Sequence, residues 1–264
     1  MRLGRSGQPL ILDVRRAAAF DAAPHLIAGA LRVAPDALDQ ALPQLPRDRE
    51  IVVYCVHGHE VSQNAARQLI AAGFDARFLD GGIGHWQEDA LPLMGKDAPL
   101  GLPASPGAPS RWVTRERPKI DRIACPWLIR RFIDPLAEFL YVPSDQVMAA
   151  AERERAIPYD VPGVRISHRG PEGELCSFDA LIADCGLDDP CLHDLARIVR
   201  GADTGKPELT PQSAGLLAIS LGLSVNFTDD HAMLEQGMIV YDALYAWIKS
   251  ARAEVHNAQL FRQS

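Results

Sequence analysis

Two nearly continuous apolar runs, LILDV (10–14) and IVVYC (51–55), have the length and pattern of strands covered on both faces. Between 60 and 72 the period changes. Val61, Ala65, Leu69 and Ala72 recur at helical spacing, and Gly73 ends the run. ARFLD (76–80) returns to a short strand pattern, and the Gly-Gly pair at 81–82 breaks it. Strand, helix and strand at this density predict a parallel sheet with flanking helices.

Beyond residue 110 the pattern is mostly helical. Asp121 is placed to cap IDRIACPWLIRRF, with Pro126 tolerated near its start. EFLYV (138–142) and GVRISH (163–168) read as strands, and Ser144 as the cap of a helix over 145–156. Asp188 or Asp189, ahead of Pro190, opens LHDLARIVRGA, and Thr210 with Pro211 forms a cap-and-first-turn pair for QSAGLLAISLG. Asp229 or Asp230 opens the longest helix, whose apolar stripe is Met233, Met238, Tyr241, Leu244, Tyr245 and Ile248. Its natural role is core packing, and a homodimer contact is a further use for it.

The stretch GKDAPLGLPASPGAPS (95–110) has four prolines, three glycines and few side chains to pack. It divides the 264 residues into an α/β unit over 1–95, a linker over 96–110, a mostly helical α+β unit over 111–252 and a tail over 253–264. No apolar run approaches a membrane span, and the N-terminal patch is too short for a signal peptide, so the expected location is cytoplasmic, with no membrane partner. A net charge of −7 gives no overall attraction to nucleic acid, and no nucleic-acid partner is expected. The five cysteines contain no CxxC pair, so each is core filler, ligand or reagent rather than part of a disulfide framework.

Cys55 lies where the second strand gives way to the long helix. The loop Val56, His57, Gly58, His59, Glu60 and Val61 brings backbone N–H groups and a helix N-terminus toward its sulfur, with Gly58 free to curl the chain. Such surroundings take a thiol from a pKa near 8.5 toward ~3.5–7.5 and suit a nucleophile that accepts sulfur and holds it as a persulfide. LILDVR, PHLIAGALRV, VVYCVHGHEVSQNAARQL and FDARFLDGGIGHWQEDALPL follow one another in the order and spacing of the rhodanese family, which residues 9–94 resemble. The resemblance implies an α/β rhodanese-like fold and Cys55 as the persulfide-forming nucleophile. It further implies 56–61 as the anion-holding loop and Asp13 with Arg15 as its support. The reaction needs no cofactor, only a small-molecule sulfur donor and a thiol acceptor.

Two features depart from that family. Little chain precedes Asp-Val-Arg (13–15), where relatives have a further strand and helix. Glu60 stands where many carry Arg, so a carboxylate would repel dianionic thiosulfate and tend to raise the thiol pKa, which favours a donor such as a low-molecular-weight persulfide.

Residues 111 to about 250 resemble the C-terminal domain of ChrB-type chromate-resistance proteins, carried by RWVTRERPKIDRIACPWLIRRFIDPLAEFLYVP, IPYDVPGVRISHRG, LARIVRGADT and DDHAMLEQGMIVYDALYAW. That resemblance implies a role in oxyanion or metal stress, with chromate or a metal complex as a partner. Within it, Asp121, Arg122 and Cys125 sit among Arg115, Arg117, Lys119, Arg130 and Arg131, a basic setting suited to an oxyanion or equally to a solvated helix face. His231 and Glu235 share a helix face; with His168, Cys176, Asp179 or Asp203 they are candidate ligands for a metal ion, with His168, His231 and Glu235 as the central set.

Overall fold

The computed structural model describes residues 3–96, 100 and 105–254. The parts of the expected linker at 97–99 and 101–104, and of the tail at 255–264, lie outside the described residues.

Strand β1 (Leu10–Asp13) is buried throughout, and so is β4 (Ile51–Tyr54). They pair in parallel with Leu12 opposite Val53. Strand β3 (Ala30–Arg32) flanks β1 and β5 (Ala76–Phe78) flanks β4, giving the order β3-β1-β4-β5, all parallel. Helices α1 (Ala17–Ala22), α2 (Leu38–Ala41), α3 (Glu60–Ala71) and α4 (Gly82–Glu88) join the strands. A small antiparallel pair, β2 (His25–Ile27) with β6 (Leu93–Gly95), closes the unit. Because β1 and β4 run in parallel, both release their chains at one edge of the sheet, the usual place for a site in an α/β fold.

The second unit has three parallel strands, β7 (Arg111–Arg115) between β8 (Glu138–Val142) and β9 (Ile157–Pro158), and six helices. These are α5 (Asp121–Phe132), α6 (Val147–Glu154), α7 (Ser177–Asp184), α8 (Pro190–Asp203), α9 (Ser213–Asn226) and α10 (Asp230–Ser250). Trp127 of α5 is fully buried among Phe132, Phe178, Tyr241 and Tyr245, whose rings lie 5.6–6.4 Å from its own. The stripe expected on α10 is buried at Met233, Met238, Tyr241, Tyr245 and Ile248. One hydrophobic core runs from Leu10 through Trp127 to Ile248. The two units are also tied by Gln8 Nε2 donating to the Arg131 carbonyl at 2.8 Å and Gly95 N donating to that of Cys185 at 2.9 Å.

Four local expectations change. Ser144 opens a 3-10 turn over Ser144–Gln146 instead of capping a helix, and α6 begins at Val147. Residues 163–168 do not form a strand: Ile166 alone bridges Tyr159, and the third strand is Ile157–Pro158. Pro162, Gly163 and Gly170 punctuate that segment and prevent a continuous ladder. Helix α9 starts at Ser213, and Thr210 Oγ1 meets Ser213 Oγ at 2.8 Å instead of capping a helix at Pro211. Asp121 is the first residue of α5, and its carboxylate caps a different helix, accepting from the N–H groups of Ser177 (2.5 Å) and Phe178 (3.2 Å) at the start of α7.

Candidate functional sites: a cysteine loop and a carboxylate–histidine cluster

Cys55 follows the last residue of β4, and α3 begins five residues later at Glu60. The intervening turn is shaped by glycine. Gly58 has φ +71°, and a Cβ there would lie 2.6 Å from the Leu79 carbonyl and 2.7 Å from Gly81 N. The Gly-Gly pair that breaks the strand pattern therefore serves the loop. Gly82, at φ +59°, leaves no room for a Cβ, which would come within 2.6 Å of the Val56 carbonyl. The same turn donates Ile83 N to the Cys55 carbonyl (3.0 Å) and Gly84 N to that of Val56 (2.9 Å).

The Cys55 side chain is buried at 6% exposure, and its sulfur lies 3.2 Å from Ser62 Oγ. Ser62 Oγ also has the His59 carbonyl at 3.2 Å; with one proton to give, it donates to the sulfur when that sulfur is charged. Burial pushes the thiol up, but the Ser62 hydroxyl and the N–H groups of Ser62, His57 and His59 outweigh it, so the thiol is held below its ordinary value. Glu60 is exposed at the first position of α3, and the Ser62 and amide contacts hold the thiol down with this carboxylate at the loop rim. His57 and His59 are exposed at the rim with ring centroids 5.8 Å apart, and Val61 packs against the core.

Asp13 and Arg15 act one step back from the sulfur. Both are buried, and Arg15 Nε donates to Asp13 Oδ2 at 2.9 Å. The Tyr54 hydroxyl donates to the same carboxylate oxygen at 2.9 Å, and Arg15 also donates to the His25 carbonyl. This knot fixes Tyr54, the residue before Cys55. Ser62 is the participant that sequence reading misses. Its signal is a serine in the stripe Ser62, Ala65, Ala66, Leu69, the face of α3 that is buried.

In the second unit, three separated segments converge. His168, in the loop before α7, puts Nε2 3.0 Å from Asp203 Oδ2, 3.7 Å from Asp160 Oδ1 and 3.9 Å from Asp121 Oδ2. Asp203 ends α8 and Asp121 begins α5. Asp160, which sequence reading passed over, follows Tyr159 just beyond β9; it also pairs with Arg115 (3.2 Å) and Arg122 (3.3 Å) and accepts from Ser177 Oγ (2.9 Å). The Asp203 carboxylate, ahead of Asp121, pushes His168 up to about 9. Burial, followed by the facing Asp203 and Asp160, holds Asp121 well above the usual carboxylate range. A cavity of about 560 Å³ opens onto Asp160, His168 and Arg115.

The other candidates do not join this cluster. His231 packs edge-on against Tyr141, with centroids 5.4 Å apart, and Glu235 pairs with Arg130 at 2.8 Å, so the set His168, His231 and Glu235 is not assembled. Their shared helix face looks toward other neighbours. Cys176 caps α7 with its Sγ 3.3 Å from Asp179 Oδ2, and Asp179 is held by Arg200 at 2.6 Å. Burial and then Asp121 push the thiols of both Cys125 and Cys176 well up, which makes them neutral fillers rather than nucleophiles. The arginines of 115–131 disperse: Arg115 and Arg122 to Asp160, Arg130 to Glu235, Arg131 to Asp242, and Arg117 to the Phe227 and Ser224 carbonyls. They do not share one basic pocket.

Comparison with known proteins separates the same two units. The family "ChrB, C-terminal domain" matches residues 112–248, and the rhodanese-like domain family matches residues 2–89. Protein ChrB of Cupriavidus metallidurans is 34% identical over 143 residues, which are 54% of this chain and 42% of that protein. The chain thus spans less than half the length of that relative. The thiosulfate sulfurtransferase GlpE of Tolumonas auensis is 32% identical over 29% of this chain and 71% of its own length. A sulfurtransferase of Allochromatium vinosum is 30% identical over 35% of this chain and 85% of its own. Among the described residues, no helix is long and apolar enough to cross a membrane.

Proposed function

Because the chain belongs to the ChrB C-terminal domain family and carries a rhodanese-like domain ahead of it, we propose that it is a sulfurtransferase acting through a persulfide on Cys55. The observation that carries this reading is the Cys55 sulfur set between the end of β4 and the start of α3, 3.2 Å from Ser62 Oγ, an arrangement that holds the thiol below its ordinary value despite burial. The Cys55 thiolate attacks the outer sulfur of a donor. A sulfur–sulfur bond forms to Cys55, the donor's own sulfur bond breaks, and its electron pair leaves with sulfite or a thiolate. A nucleophilic acceptor, a thiol or cyanide, then takes the outer sulfur and returns Cys55 as thiolate. The amides of His57, His59 and Ser62 hold the negative sulfur in both halves.

Glu60 sets the choice of donor. A carboxylate at the loop rim disfavours a dianion such as thiosulfate and tolerates a persulfide whose charge lies farther from the reacting sulfur. The ChrB-type domain connects the transfer to oxyanion or metal stress, with chromate or a metal complex as its partner. The test is cyanide-dependent thiocyanate production, with thiosulfate and glutathione persulfide compared as donors. Turnover with the persulfide exceeding that with thiosulfate, and lost in Cys55→Ser, supports the reading. No turnover with either donor supports a second one, favoured by the repulsive Glu60: a non-enzymatic chromate or metal sensor on a vestigial rhodanese scaffold.

A further inference from the structure

The cluster around His168 has the composition of a cation site, and it stands independently of the Cys55 chemistry. Asp121, His168 and Asp203 each present one ligand atom, and these atoms all lie within 4.8 Å of one another. Ligand atoms around one cation at about 2.1 Å lie roughly 3–4 Å apart, so a small contraction brings all three into a coordination sphere.

Three further observations fit a bound cation. First, the imidazole is oriented from outside the cluster. His168 Nδ1 faces the Gly173 carbonyl at 3.3 Å, which leaves Nε2 directed at the carboxylates, the arrangement common to metal-ligating histidines. Asp121 is likewise braced by the Ser177 and Phe178 N–H groups, and a carboxylate has lone pairs left after accepting two such bonds. Second, the carboxyl groups of the cluster outnumber the cationic side chains that face two of them. Asp160 has Arg115 and Arg122, but Asp121 and Asp203 face His168 alone. Asp121 is 1% exposed, so water does not screen it. Asp203 also ends the 14-residue helix α8, where the backbone dipole favours a cation. Third, the cluster borders a cavity on its His168 and Asp160 side. The cavity of about 560 Å³ is lined by His168 and Asp160 together with Ser167, Gly163, Val161 and Arg115.

We propose that Asp121, His168 and Asp203, with Asp160 beside them, bind one divalent first-row transition cation of the manganese(II)–zinc(II) kind. The donor set decides the class. One imidazole with carboxylate oxygens suits these borderline-to-hard ions, and the soft thiols of Cys125 and Cys176 stay outside the set. The side facing the cavity leaves room for an exchangeable ligand, and Arg115 at that wall suits an anion.

The experiment is titration of the full chain with Mn2+, following loss of the free-ion electron paramagnetic resonance signal, with Zn2+ as competitor. Wild type is expected to bind one Mn2+ per chain and to release it to Zn2+. His168→Ala and Asp203→Asn are expected to weaken binding at least tenfold. Both keep the Asp121 cap on α7, so their circular dichroism and the alkylation rate of Cys55 stay unchanged. His231→Ala and Glu235→Gln leave binding intact. Absence of Mn2+ and Zn2+ binding by wild type at millimolar ion overturns the proposal, and so does undiminished binding by the folded His168 and Asp203 variants.

Discussion

Ser62 Oγ lies 3.2 Å from the sulfur of Cys55, so the third residue of α3 reaches back to the residue that follows the preceding strand. A hydrogen bond to a charged acceptor is worth roughly 1.5–3 kcal/mol, and one pKa unit is about 1.4 kcal/mol. Ser62→Ala is therefore expected to raise the Cys55 pKa by about one unit. With a lower thiolate fraction at neutral pH, alkylation slows at pH 7, by at most about tenfold, and recovers as pH rises. The pH profile of iodoacetamide labelling, read by mass, checks this.

Asp13 and Arg15 are each at most 2% exposed and hydrogen-bonded to one another, with Tyr54 as third member. Asp13→Asn leaves a buried guanidinium without its counter-charge, a loss of about 3–5 kcal/mol. A fall in melting temperature of about 10 °C is the expected result in calorimetry. Loss of Cys55 reactivity should appear only as the protein unfolds, because neither residue touches the sulfur.

Gly82 is expected to be intolerant of any side chain. Its Cβ would press on the carbonyls of Cys55 and Val56, and its φ of +59° is itself costly for other residues, by about 1–3 kcal/mol. Gly82→Ala should displace the loop and lower sulfur transfer at least tenfold, while far-ultraviolet circular dichroism shows the helices retained. Gly163→Ala, with φ +80° but open space around it, is the control for backbone strain without a clash.

Glu60→Arg tests the assignment of donor choice to this position. Removing a carboxylate and adding a guanidinium at the exposed start of α3 should raise the kcat/KM for thiosulfate by about tenfold or more, and less for glutathione persulfide. The gain should shrink as salt is added, since the position is solvent-exposed.

Much of this was legible in the sequence, because the deciding signals are local. The runs at 10–14 and 51–55 are strands since their apolar positions fill both sheet faces, and Cys55 falls at the strand–helix junction by counting alone. Gly58 is likewise a local signal. What escaped was long-range. Asp121 looks like the cap of its own helix, yet it caps α7, 56 residues away in sequence. Asp160 carries no periodic signature, and only the fold brings it to His168 and two arginines. His231 and Glu235 share a helix face as expected, but a shared face does not specify what it meets; here it meets Tyr141 and Arg130. The 163–168 segment has strand-like residues, but Pro162, Gly163 and Gly170 leave it as a loop that delivers His168.

The most direct test of the central claim is the intact mass of the full chain after incubation with glutathione persulfide and, separately, with thiosulfate, for wild type and Cys55→Ser. Wild type is expected to gain one sulfur atom, removed by cyanide and absent in the variant. A wild-type chain that gains no sulfur from either donor, while iodoacetamide still labels Cys55, would contradict it.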